Sequence, residues 1–126
     1  MRRIPFAVPV LAVVAALPAR TEMFGPGFQP CGDQLSTPAV VECVQAKTNV
    51  ADHRLNAAYK ALQARVDAAQ RQPLLAAQRL WVQYRDANCA FYGVQDGSIR
   101  QVQAAECIRS MTEDRAISLL PIMMCG

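Results

Sequence analysis

The sequence predicts an all-α fold: a small up-down-up three-helix bundle, stapled by disulfides and entered through an irregular N-terminal arm. Three observations predict it. Apolar side chains recur at alternating threes and fours over three long stretches, the period of a helix face and not of a strand. Short breaks containing Gly or Pro separate those stretches, so successive helices must reverse direction. Five cysteines in 126 residues are spaced for disulfides rather than for a metal.

Residues 1–19 read as a secretory signal peptide. Arg2 and Arg3 precede an uncharged apolar run from Ile4 to Leu17. As a helix that run would reach about 21 Å, short of the ~30 Å hydrocarbon core of a bilayer. Cleavage is expected after Ala16 or Ala19, which leaves a chain with no stable membrane anchor. It also removes two of the 13 basic residues, so 11 stand against 10 acidic ones. That near balance, without any run of like charge, gives no footing for nucleic-acid binding.

Residues 20–36 form a Gly/Pro-rich arm carrying Gly25, Pro26, Gly27, Pro30 and Gly32. The helical domain spans 37–120. Thr37 is expected to cap the first helix, with Pro38 behind it, and Val41, Val44, Thr48, Ala51, Leu55, Tyr59, Leu62 and Val66 mark its inner stripe. Pro73 is expected to mark the turn into a second helix that runs to Tyr92. Its central face carries Leu74, Ala77, Trp81, Arg85, Asn88 and Tyr92. The segment from Gly93 to Ser98 breaks the pattern. Ser98 then caps a third helix with Val102, Ala105, Ile108, Met111, Arg115 and Leu119, which Pro121 should stop, leaving 121–126 as a tail.

The up-down-up topology places Cys31, Cys43, Cys89 and Cys107 at one end and Cys125 at the other, unpaired. Cys31–Cys43 with Cys89–Cys107 is the favoured pairing, because each closes a short excursion; helix geometry also allows Cys43–Cys89 with Cys31–Cys107. No two cysteines lie closer than twelve residues and the chain has one histidine, which argues against zinc. The unpaired Cys125 would permit a disulfide-linked dimer.

Polar side chains fall on the apolar stripes: Asp52 and Asn56 in the first helix, Gln78, Tyr84, Arg85 and Asp86 in the second, Thr112 and Arg115 in the third. A semi-buried network that fixes helix register is the expected reading, since an unpaired guanidinium there would be costly. Trp81, Tyr84, Phe91 and Tyr92 are expected in the core and at the bundle end. No nucleophile stands beside a base and a helix interior offers no cleft, so neither catalysis nor a cofactor is expected.

The ordered set Glu42-Cys43, Ala51-Asp52, Leu55-Asn56, Tyr59, Gln78, Trp81, Tyr84-Arg85-Asp86-Ala87-Asn88-Cys89, Gly97-Ser98, Cys107, Thr112, Arg115 and Leu119 resembles the LprI-type lysozyme inhibitor family across nearly the whole mature domain. The resemblance implies a bacterial protein, periplasmic or secreted, that binds and inhibits lysozyme without catalysis. A periplasmic interaction module of the immunity or envelope-stress type, with another protein target, is the alternative. Because the mature chain is near neutral, a local contact must carry the binding of a cationic partner. The exposed turn with Tyr92, Gly93, Asp96, Gly97 and Ser98 is the candidate partner-contact loop.

Overall fold

The computed structural model describes residues 24–124, with side chains described as far as Leu120. The expected signal peptide and Cys125 lie outside the described residues. Within them run two short 3-10 turns, Pro26–Phe28 and Cys31–Asp33, and three helices: α1 (Thr37–Arg65), α2 (Ala68–Gly93) and α3 (Ile99–Met124). No strand occurs among the described residues, and the fold is the expected disulfide-stapled three-helix arrangement.

The helix boundaries differ from the expected ones in three places, each for a local reason. Ser36, not Thr37, caps α1: it holds an extended backbone and its hydroxyl accepts from Ala39 N–H at 3.3 Å. The reversal between α1 and α2 falls at Val66-Asp67, not at Pro73. Asp67 Oδ1 accepts from Gln70 N–H at 2.9 Å while Gln70 Oε1 accepts from Asp67 N–H at 3.2 Å, a reciprocal cap that starts α2. Pro73 then sits inside α2, where its fixed φ suits a helix although the bond to the Ala69 carbonyl is lost and its ring crowds that carbonyl. By the same reasoning α3 continues past Pro121 to Met124.

Helix α3 is the centre of the fold. It packs against both α1 and α2, which share few direct contacts with one another. At one end Phe28, Cys31, Val40, Val44 and Val102 form an apolar cluster, with Phe24, Val41, Cys43 and Ala105 against it. Toward the other end Leu55, Ala58, Leu62, Ala116 and Leu119 form a second, covered by Tyr59, Val66, Leu74 and Trp81. Between the two, α3 buries Glu106, Arg109 and Thr112.

Disulfides Cys31–Cys43 and Cys89–Cys107 brace the first end, each with Cα atoms 5.5 Å apart. Loop closure over separations of 12 and 18 residues corresponds to about 3 kcal/mol apiece. The second bond matters to α2 in particular, because Cys89 is the one fully buried residue on that helix.

Candidate functional site

The turn between α2 and α3 projects from the disulfide-braced end. Gly93 closes α2, Gln95 N–H bonds back to the Tyr92 carbonyl at 3.3 Å, and Arg100 N–H reaches the Gly97 carbonyl at 3.5 Å. Gly97 has φ 89°, a left-handed conformation that glycine adopts without strain, and a Cβ there would meet open space. Asp96 and Ser98 are exposed, whereas Tyr92 is half-buried with its ring edge-on to Phe91 at 5.5 Å. Around this turn the same end of the bundle displays Leu35, Val94 and Ile99, with Leu35 fully in solvent and Val94 81% exposed. Asp33 lies exposed on the neighbouring arm. An acid-bearing turn with apolar flanks suits contact with another protein, in which a buried apolar centre and a polar rim share the work.

The polar residues on the stripes separate into two groups. Arg85 is largely buried: its Nη1 donates to Thr112 Oγ1 at 3.3 Å, its Nε donates to Asp86 Oδ1 at 2.9 Å, and its guanidinium lies 5.2 Å from the Trp81 ring. Arg115 lies 5.8 Å from the same ring and donates from Nε to Gln78 Oε1 at 3.1 Å. Trp81 thus presents its π-cloud to two guanidinium groups, an attractive arrangement that also joins α2 to α3. Asp52 and Asn56 stand apart on the exposed side of α1, bonded to each other at 3.4 Å and to neither arginine. Their four-residue spacing made them neighbours but did not turn them inward. Tyr84 and Phe91, expected in the core and at the bundle end, are instead 61% and 62% exposed.

Sequence reasoning missed a second charged layer. Glu106 and Arg109 are both buried, and their fork is bidentate, with Nε to Oε2 at 2.7 Å and Nη2 to Oε1 at 2.6 Å. Nη1 also donates to Glu113. The hydrogen bond to Glu106 pushes the Arg109 pKa further up, against the opposing effect of burial. Over this layer lies the arm, which Lys47 fastens by donating to the carbonyls of Gly27 (2.6 Å) and Gln29. The available signal was the pairing of Gly25-Pro26-Gly27 with charges at i, i+3 and i+7 on the third helix.

The chain matches the family model described as "Lysozyme inhibitor LprI" over residues 31–119. That stretch begins at the first disulfide cysteine and ends at the last buried leucine of α3. No curated protein and no solved structure gives a significant match. With most of its length covered, both disulfides included, the chain belongs to the LprI lysozyme inhibitor family.

Proposed function

We propose that this protein is exported, binds lysozyme and inhibits it without catalysing a reaction. The family match across the whole disulfide-braced domain is the observation that carries this reading. Two disulfides fit an oxidising compartment, periplasmic or extracellular. No helix among the described residues is long and apolar enough to cross a membrane.

The contact is assigned to the Gly93–Ser98 turn and its neighbours. A glycosidase cleft holds two carboxylates and can be blocked by a protruding polar loop. Asp96 supplies the acidic group for a cationic protein, Ser98 a hydroxyl, and Leu35 and Ile99 the apolar contact beside them. The disulfides Cys31–Cys43 and Cys89–Cys107 hold this end rigid, which lowers the ordering cost of binding.

A cell-wall lysis assay tests the reading directly. Micromolar protein in low salt should slow lysozyme, and inhibition should track binding measured on the same sample. Full lysozyme activity at that concentration would defeat the reading and leave an interaction module for another protein.

A further inference from the structure

Helix α2 carries a second apolar stripe that the fold does not use. Ala77, Leu80, Tyr84, Ala87 and Phe91 recur at three, four, three and four, the residue after the helix, Val94, continues the spacing, and every one of them is exposed. Leu80 is 64% exposed and Val94 81%. The positions flanking them on the outer side, Ala76, Gln83 and Ala90, are exposed and uncharged as well. The inner side of the same helix is already committed to α3 through Trp81, Arg85 and the Cys89–Cys107 bond. A disulfide therefore clamps α2 in an orientation that keeps its large apolar side chains in water.

We propose that this face is the interface of a homodimer, in which α2 pairs with α2 of a second copy in antiparallel register. The 3.5-residue spacing is that of a coiled-coil seam, so the natural occupant is a helix with the same spacing. A second α2 meets that requirement under a two-fold axis, where one surface must complement itself. Antiparallel pairing sets Leu80 opposite Phe91 of the second copy, Tyr84 opposite Ala87 and Ala77 opposite Val94. Each small residue then receives a large one, as interdigitated packing needs, whereas parallel pairing would set Tyr84 on Tyr84. The uncharged face places no like charges together across the axis, and it offers no electrostatic gain to a strongly cationic foreign protein. With Leu80, Tyr84 and Phe91 each more than 60% exposed and Val94 81%, covering most of this face in both copies would remove on the order of 1,000 Å² from water, the threshold of a specific interface.

The proposal does not rest on lysozyme binding, and the state of assembly is measured first in the absence of lysozyme. Sedimentation equilibrium of the exported, oxidised protein carrying Cys125→Ser excludes a disulfide-linked dimer. At about 50 µM, the range in which a modest interface should be populated, the wild-type face should give twice the chain mass. Leu80→Lys with Phe91→Lys should return the mass to that of one chain, leaving helicity unchanged because both positions are exposed in the single chain, and removing any concentration dependence of the melting temperature. Ala87→Arg, placed opposite Tyr84, should do the same by steric and charge obstruction. A single-chain mass for the wild-type face, or a dimer that survives these substitutions in folded protein, would overturn the proposal. A single-chain mass together with lost lysozyme binding in Phe91→Lys would give the face to a foreign protein instead.

Discussion

Gly27 lies against the guanidinium of Arg109, so close that a Cβ at that position would come within 2.6 Å of Arg109 Cζ. The arm reaches this depth because Lys47 holds the Gly27 carbonyl from one side and Cys31 is bonded to Cys43 just downstream. Arg109 cannot move aside without breaking its fork with Glu106. Gly27→Ala should therefore destabilise the protein by about 1–3 kcal/mol, the usual cost of overpacking a tight site. Gly25→Ala is the control, since its Cβ would sit at an ordinary 3.7 Å from Arg109 Nη2. Urea denaturation should show a lowered midpoint for the first and little change for the second.

The buried Glu106–Arg109 pair makes a second expectation. Both side chains are almost fully enclosed, while Glu113 is 37% exposed. Arg109→Met keeps volume but strands the Glu106 carboxylate, and the loss of one partner from a buried pair costs about 3–5 kcal/mol. Combining Arg109→Met with Glu106→Gln should recover a large part of that loss, because no fully buried charge is then left unpaired and Glu113 is partly solvated. Glu113→Gln alone should cost less than 1 kcal/mol, since a partly solvated partner contributes little. A double-mutant cycle of melting temperatures and denaturant midpoints checks all three.

Asp67 links the first two helices rather than decorating the outer face of α1. Its carboxylate accepts from Gln70 N–H, and the Gln70 side chain answers to Asp67 N–H. Asp67→Ala should cost about 1 kcal/mol through the lost cap, and Asp67→Asn should retain most of it. Amide exchange should show faster opening in the first turn of α2 for the alanine variant.

How far the sequence alone could lead follows from these same residues. The stripes of α1 and the inner face of α2 were legible because burial follows the helical period at Val44, Leu55, Leu62, Trp81 and Arg85. The boundary at Asp67 was not, because Pro73 is the stronger local breaker and masks the weaker Asp67-x-x-Gln70 signal. Tyr84 and Phe91 were misplaced because α2 has two apolar faces, and periodicity finds faces without saying which one turns inward. Glu106, Arg109 and Glu113 read on paper as surface pairs at i, i+3 and i+4; the arm folding over them accompanies the burial of Glu106 and Arg109, while Glu113 stays partly exposed. The proposed contact turn was legible as a turn, from Gly93 and Gly97, but its apolar neighbour Leu35 comes from the arm, far away in sequence.

Charge reversal at Asp96 probes the proposed contact turn. Asp96 is exposed on the turn from Gly93 to Ser98, beside Val94 and at the end braced by both disulfides. Against a cationic partner, Asp96→Lys reverses the charge at the proposed centre of contact. It should weaken inhibition at least tenfold, about 1.4 kcal/mol, without moving the melting temperature, because the side chain is in solvent. The matched control is Asp114→Lys, an exposed position in the second half of α3 toward the opposite end of the molecule. Asp67 would be a poor control, since reversing it removes the α2 cap. Inhibition constants from lysis assays at two salt concentrations separate the cases. Loss confined to Asp96→Lys locates the contact on this turn, equal loss at both positions means diffuse attraction, and unchanged inhibition at both removes the turn from the mechanism.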